Sequence, residues 1–120
     1  MIYQATVSEQ NRTRKYIGST ILFKKRYYAH RQSFCNPGRR HDTTLSEYVW
    51  DRGLGNNPDI TWEILARAPA YRKGQRDCPL CLEEKYFILK VFNNPQYLNQ
   101  RTELLSKCRH KASFLLKNAK

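Results

Sequence analysis

Apolar and polar positions alternate at the start of the chain, over residues 2–7. The apolar positions fall on one face: Tyr3, Ala5 and Val7. The polar positions fall on the other face: Gln4 and Thr6. This is the period of a strand with one buried face. A polar, turn-like stretch follows, and residues 15–19 are again rich in β-forming side chains. The opening is therefore predicted to be a hairpin with Tyr3 and Tyr16 on paired strands.

The spacing of apolar side chains then changes from a strand period to a helix period. Four rings recur at helical intervals: Phe23, Tyr27, His30 and Phe34. They predict a first helix over residues 21–34. Residues 35–42 contain Asn-Pro-Gly followed by two arginines, and so predict a basic loop.

A short helix and a third strand follow this loop. The pair Thr44 and Glu47 resembles a capping box, which predicts a helix that Gly53 ends. Residues 60–65 are β-branched and aromatic around a tryptophan. They predict a strand whose Glu63 faces solvent.

The last predicted elements begin at Pro79, which suits the first turn of a helix because its missing N–H would have no helical partner there. This helix should run to about Val91, where Asn-Asn-Pro stops it. Residues 97–99 are short and extended, and residues 102–116 predict a final helix before a frayed end. Two strands, two helices, a strand and a helix in this order predict a single small α+β sandwich.

Charge points to the kind of partner. Among 120 residues, 22 are Lys or Arg and 10 are Asp or Glu, which gives a formal net charge of +12. A polyanion is the expected partner. Nucleic acid fits better than a membrane, because the basic residues are dispersed and no apolar run reaches about 18 residues. The plainer alternative is a basic, soluble surface. Without a recognisable secretory signal, we expect an intracellular protein.

Arg26 and His30 are four residues apart, so on a helix they point the same way. An arginine fork suits phosphate oxygens, and histidine can give or take a proton near neutral pH. A phosphate bound by both is one interpretation. The other is a core histidine, because His30 shares the aromatic stripe of the first helix.

Glu84 lies on the apolar stripe of its predicted helix, in line with Leu80 and Ile88. A carboxylate in that position is costly unless it is paired or bound to a metal. A hard divalent cation would compensate its charge and still leave positions for phosphate and water. An ion pair with a nearby Arg or Lys is the alternative. Glu83 falls off the stripe and is expected to be solvated.

The cysteines suggest a second metal site. Cys78 and Cys81 form a C-x₂-C pair, and Cys108 with His110 would complete a tetrahedral zinc site near the end of the chain. Such a zinc ion would tether residues 101–120 to the helix that carries Glu84. Unliganded thiols are the alternative, and Cys35 with nearby His41 offers other ligands.

Five elements of the chain occur in a recognisable order: Ile2-Tyr3, then Tyr16-Ile17-Gly18-Ser19, then Arg26 and His30, then Glu84 and Ile88, then Leu98-Asn99. In this order they resemble the GIY-YIG nuclease superfamily, from residue 2 to about residue 99. The resemblance implies a small three-stranded antiparallel sheet flanked by helices and a nuclease core over residues 1–100. Met1 stands where the first glycine of the motif normally lies, which leaves Tyr3 in place.

The resemblance implies metal-dependent hydrolysis of a DNA phosphodiester bond. Glu84 would hold one Mg²⁺ or Mn²⁺ ion, while Arg26 clamps the phosphate and His30 orients it or assists proton transfer. The residues expected to contact DNA phosphates are basic: Lys15, Lys24, Lys25, Arg39 and Arg40.

The resemblance also gives roles to two tyrosines and an asparagine. Tyr3 and Tyr16 would frame the nucleophilic water, either of them is a candidate base, and Asn99 would position the group. Because a free phenol has a pKa near 10, activity should rise toward alkaline pH unless a cation such as Lys15 lowers that pKa.

The cysteine pattern and the tyrosine motif together resemble endonuclease modules of eukaryotic mobile elements, including Penelope-like retroelements. That resemblance implies a nuclear location and a reverse transcriptase or DNA-reading domain as partner. Those modules usually carry a cysteine pair between the two tyrosine motifs, which this chain lacks, so a stand-alone homing or phage-type nuclease is the alternative. Two other functions stay open: a DNA-binding module without catalysis, and a zinc-stabilised protein interaction domain. The sequence leaves open the DNA site, nicking against double-strand cutting, and the oligomeric state.

Overall fold

The computed structural model describes residues 1–69, 72, 78–100 and 103–104. The strands in these residues are β1 (Ile2–Ser8), β2 (Thr13–Ser19) and β3 (Ile60–Ala66). The helices are α1 (Phe23–Cys35), α2 (Thr44–Asp51) and α3 (Pro79–Val91), with a 3₁₀ turn at Pro37–Arg39. The described part of the chain is thus an α+β fold with one antiparallel three-stranded sheet, in the order β2-β1-β3. The predicted fold class is confirmed.

The first two strands form the predicted hairpin. Ala5 lies opposite Tyr16, and Tyr3 lies opposite Gly18. Because side chains alternate along a strand, Tyr3 and Tyr16 lie on the same face of the sheet. β1 also pairs with β3, whose Glu63 is exposed as predicted.

β1 is the central strand, and both of its faces are buried. One face packs with α1 and α2 in a core that includes Tyr3, Ala5, Val7, Phe34, Leu45 and Val49. The other face packs with α3 in a core that includes Ile2, Ile17, Cys78, Leu80 and Ile88. The prediction of a single buried face was wrong, because helices cover both sides of the sheet.

The cap of α2 lies one residue earlier than predicted. The Thr43 hydroxyl accepts a hydrogen bond from the Ser46 N–H, and the Ser46 hydroxyl accepts one from the Thr43 N–H, each at 3.0 Å. This reciprocal pair is a capping box, so assigning the box to Thr44 and Glu47 was wrong. Both threonines are chemically able to cap, and Ser46 supplies the return bond at the right spacing for Thr43. Gly53, with φ of +64°, follows the helix end as predicted.

α3 begins at Pro79 and ends at Val91, as predicted. The following segment runs beside β2: the Lys15 N–H donates to the Gln96 carbonyl and the Leu98 N–H donates to the Lys15 carbonyl, each at 2.7 Å. Of the predicted final helix, only Glu103 and Leu104 are described, and both are helical. The rest of it lies outside the described residues. In the part of the chain that the structure covers, no helix is long and apolar enough to cross a membrane.

Candidate active site

Tyr3 lies at the centre of the predicted catalytic group. Its side chain is fully buried on β1, and its hydroxyl lies 2.6 Å from Nε2 of His30. Nε of Arg26 donates to the same hydroxyl at 3.3 Å. Arg26 and His30 do point the same way from α1, as their spacing predicts, and the group between them is the phenol of Tyr3.

The chemistry of this triad follows from its donors. A guanidinium only donates, whereas a phenol and a neutral imidazole can each donate or accept. The proton between Tyr3 and His30 can therefore lie on either partner. Arg26 stabilises the state in which the Tyr3 oxygen carries negative charge, because its positive Nε–H points at that oxygen.

His30 is a core residue that also makes a polar contact in the candidate site. It is only 2% exposed, and its ring stacks on Phe34 at 6.4 Å between centroids and meets Trp62 at 5.4 Å. It is thus packed as a core residue. The same ring holds a buried polar hydrogen bond to Tyr3, which places its titratable nitrogen in the candidate site.

Gly18 permits the close approach of Tyr3 to the neighbouring strand. A Cβ added to Gly18 would lie 2.4 Å from the Tyr3 hydroxyl oxygen and 2.6 Å from its Cζ. Both distances are far below van der Waals contact. A side chain at position 18 would therefore displace the phenol from His30, which explains the glycine of the Tyr16-Ile17-Gly18 segment physically.

Tyr16 lies on the same face as Tyr3, with ring centroids 6.5 Å apart. Burial raises the pKa of Tyr16 well above that of a free phenol, and the nearby Tyr3, Glu103 and Glu84 raise it further, while Arg26 opposes them. Tyr16 therefore stays protonated at neutral pH.

Arg26 is held in its charged form. Burial acts to lower the pKa of its guanidinium, but interactions with Tyr3 and Tyr16 raise it by more, so that the net pKa is raised. The cation is therefore permanent in this site and faces two phenols.

Glu84 is partly buried on α3, between Leu80 and Ile88, which are both in the core. The predicted apolar stripe is thus present around it. Its carboxylate is near enough to Tyr16 to raise the pKa of that phenol. A carboxylate is a hard oxygen ligand of the kind that Mg²⁺ and Mn²⁺ prefer, so this position fits the implied ion. Glu83, predicted to be solvated, is partly buried as well.

Asn99 holds the backbone of β2 at the residue between Tyr16 and Gly18. Its Oδ1 accepts from the Ile17 N–H and its Nδ2 donates to the Ile17 carbonyl, each at 2.8 Å. Nδ2 also donates to the carboxylate of Glu103. The side chain of Asn99 therefore binds both the N–H and the carbonyl of Ile17 on β2.

Glu103 is a residue that the sequence analysis missed. Its second carboxylate oxygen accepts from the Thr44 hydroxyl at 3.0 Å, so it connects Asn99 to the start of α2. Burial raises the pKa of its carboxyl group, and hydrogen bonds from Asn99 and Thr44 oppose that shift. The only signal in the sequence is its position four residues after Asn99, and nothing local reveals Thr44 as a partner.

Four of the five predicted DNA-contacting residues are exposed: Lys24, Lys25, Arg39 and Arg40. Arg40 forms an ion pair with Asp51. Lys15 is partly buried, with its ammonium group 5.9 Å from the ring centroid of Tyr97. Of the predicted DNA-contacting residues, the exposed ones therefore lie on α1 and on the loop after it.

Two of the four predicted zinc ligands lie outside the described residues. Cys78 is buried in the α3 core and Cys81 is partly buried, but Cys108 and His110 lie outside the described residues. Within the ranges that are described, no group of three or more His, Cys, Asp or Glu side chains is arranged to hold a metal ion. Cys35 is exposed, and His41 forms a 3.0 Å pair with Glu47.

Comparison of the chain with protein-family models, curated proteins and solved structures finds no match. Function is therefore inferred from the arrangement of side chains. That arrangement is a buried tyrosine bound by a histidine and an arginine, beside a second tyrosine of raised pKa and a partly buried carboxylate.

Proposed function

We propose that this protein is a metal-dependent DNA endonuclease of the GIY-YIG type, which hydrolyses phosphodiester bonds. The observation that carries the proposal is the shared hydrogen bonding of the Tyr3 hydroxyl by His30 and Arg26. A buried phenol between an acid–base group and a permanent cation suits proton transfer at a reacting water. The order of the sequence elements and the net charge of +12 support the same assignment.

In the proposed mechanism Tyr3 is the general base and His30 prepares it. Neutral His30 accepts the phenol proton through Nε2, and Arg26 stabilises the resulting phenolate. The phenolate oxygen then takes a proton from water as the water oxygen bonds to phosphorus. The bond from phosphorus to the leaving oxygen breaks and that oxygen takes up a proton from solvent, while His30 releases to solvent the proton that it took from Tyr3.

Tyr16 is assigned a different role from Tyr3. Its raised pKa keeps it protonated at neutral pH, so that it has no phenolate to accept a proton and its O–H remains a hydrogen-bond donor. It orients the water or a phosphate oxygen. The sequence leaves either tyrosine as the candidate base. We therefore assign Tyr3 as the base.

Glu84 would hold the Mg²⁺ or Mn²⁺ ion, which when bound supplies positive charge that stabilises the phosphate in the transition state. Arg26 adds a second positive charge from α1. Asn99 keeps the backbone at Ile17, and hence Tyr16, at a fixed distance from the rest of the site. Lys24, Lys25 and the loop arginines bind the DNA backbone.

The biological setting is proposed on the resemblance alone. A mobile-element endonuclease would act in the nucleus of a eukaryotic cell, joined to or beside a reverse transcriptase or a DNA-reading domain. A structural zinc ion on Cys78, Cys81, Cys108 and His110 would tether the C-terminal segment. Zinc content by mass spectrometry of the native protein would test this last point.

The decisive experiment is nicking of supercoiled plasmid with Mg²⁺ or Mn²⁺ after loosely bound metal has been removed. We expect metal-dependent nicking that falls about 100-fold or more in Tyr3→Phe, as for loss of a general base. Glu84→Ala should abolish it. Matched controls are Tyr86→Phe, on the exposed side of α3, and Glu63→Ala, on the exposed side of β3, and both should keep wild-type rates.

Two results would overturn the assignment. Full activity in Tyr3→Phe would remove Tyr3 as the base. A folded wild-type protein that binds DNA but cuts neither duplex nor single-stranded DNA with either metal would be a DNA-binding module of the same fold.

A further inference from the structure

One cluster of exposed apolar side chains lies just before α1 and in its first half. Four of them lie within eight residues: Ile21, Leu22, Tyr27 and Tyr28. Tyr28 is the most exposed of these, at 65%. Leaving so much aromatic and aliphatic surface in water is unfavourable, and patches of this kind often mark binding sites.

The same stretch carries a strong positive charge. Lys24 and Lys25 precede Tyr28 by four and three residues, and Arg31 follows it by three, so all three are its neighbours on the helix surface. α1 contains no acidic residue. We name Ile21, Leu22, Lys24, Lys25, Tyr27 and Tyr28 the α1 basic-aromatic surface.

Tyr27 gives this surface a rigid support. Its ring meets Trp62 edge-on, with centroids 5.5 Å apart, and lies 6.2 Å from Phe23. These contacts fix one edge of the surface to the sheet core. Tyr28, next along the helix, extends outward from that supported edge.

A second exposed apolar stripe offers a comparison. On α3 and just beyond it lie Leu82, Tyr86, Leu89 and Phe92. The charges beside them are mixed, since α3 contains Glu83 and Glu84 as well as lysines. The ammonium of Lys90 also lies 5.3 Å from the Tyr86 ring centroid. Charge complementarity to a polyanion therefore selects α1 over α3.

We propose that the α1 basic-aromatic surface binds unpaired nucleotides of DNA, with a base stacked on Tyr28 and phosphates held by Lys24 and Lys25. A duplex presents phosphates to this surface but keeps its base faces stacked inside. Unpaired nucleotides offer both partners at once, and base–aromatic stacking with basic side chains is how single strands are commonly bound.

The substrate class implied is DNA with a single-stranded segment beside the strand to be cut, such as a flap, fork or loop. This part rests on the proposed nuclease function. The binding surface itself does not, because stacking and phosphate contacts need no catalysis.

The test is the affinity of the full chain for labelled oligothymidine and for a duplex of equal length, measured by fluorescence anisotropy in EDTA at one salt concentration. We expect Tyr28→Ala to weaken binding of the single strand about 5-fold or more. Duplex binding should change less than about 2-fold, because a duplex offers Tyr28 no base face. Tyr28→Trp should retain single-strand affinity. Tyr86→Ala, which removes a tyrosine that is 53% exposed on α3, is the matched control and should change neither.

Three outcomes would overturn the proposal. Equal losses on both DNAs would make the surface a general phosphate contact, and unchanged affinities would remove Tyr28 from the binding site. A wild-type protein that binds neither DNA would leave an acidic protein partner as the occupant. By contrast, suppose that the binding results are as expected but the protein nicks no DNA. That outcome would support the α1 basic-aromatic surface and reject only the nuclease function.

Discussion

At the scale of single residues, Tyr3 is unusual because a fully buried side chain has its hydroxyl bound by two groups of different charge state. The guanidinium of Arg26 is a permanent cation that only donates, whereas the imidazole of His30 can donate or accept. Burial removes competing water from Tyr3 and His30, which strengthens their polar interaction. Gly18 is the residue that makes room for this arrangement.

Tyr16 gives a prediction at this scale. Its pKa is raised in the folded state, so above about pH 10 the unfolded chain loses a proton that the folded chain keeps. Folding stability should therefore fall as the pH rises from about 10 toward the raised pKa, and be unaffected by Tyr16 below that range. Urea unfolding at several alkaline pH values measures the slope.

The matched variants for that experiment are Tyr16→Phe and Tyr28→Phe. Tyr16→Phe should make the alkaline loss of stability shallower, because one of the tyrosines whose pKa is raised by folding is gone. Tyr28 is exposed, and its replacement should leave the slope as in the wild type. An identical slope in all three proteins would rule out Tyr16 as a source of the pH dependence.

At the scale of elements, β2 is bound along both of its edges. β1 pairs with it on one side, and the segment 96–99 runs along the other. Asn99 adds two side-chain hydrogen bonds to Ile17, and Glu103 connects Asn99 to α2. The strand that carries Tyr16 is thereby kept from fraying at an open edge.

Removal of this attachment should loosen β2 near Tyr16. We expect Asn99→Ala to lower the free energy of unfolding by about 1–3 kcal/mol, because the polar groups of Ile17 lose their partners. Amide hydrogen exchange at Ile17 should also accelerate. Glu103→Gln keeps the shape of the side chain and should have a smaller effect on both. Asn93→Ala, at an exposed position after α3, is the control, and unchanged exchange at Ile17 in Asn99→Ala would contradict the proposed role.

At the scale of the whole molecule, the buried tyrosines of the candidate site and the exposed basic side chains lie in different places. Tyr3 and Tyr16 of the candidate site lie buried in the aromatic core beneath α1, while four of the predicted DNA-contacting side chains are exposed on α1 and in the loop that follows. A strong positive field attracts DNA without regard to sequence. In the proposed function, the candidate site acts on a phosphate that this field brings near.

This separation predicts a steep salt dependence of DNA binding. The logarithm of the association constant for a duplex should fall linearly with the logarithm of salt concentration, with a slope close to the number of phosphates neutralised. Replacing both Lys24 and Lys25 with alanine should make that slope shallower by about 2. The control is Tyr3→Phe, which changes the buried site and should keep the wild-type slope. A slope near zero in the wild type would mean that the +12 charge does not serve DNA binding.

The sequence alone determined the kinds of element in the described chain and most of their bounds. Pro79 marks the start of α3, Gly53 follows the end of α2, and alternation predicts the hairpin, because each of these signals depends on neighbours a few residues away. The four-residue spacing of Arg26 and His30 likewise predicts that both lie on one side of α1, as they do. These are consequences of local backbone geometry, and local geometry is written in local sequence.

The tertiary structure decided what lies against what. It buried both faces of β1, put the Tyr3 hydroxyl between Arg26 and His30, and brought Glu103 to Thr44 from 59 residues away. Contacts of this kind depend on how helices and strands pack, and the free energy that fixes them comes from burial and pairing between segments far apart in the chain, which no local pattern records.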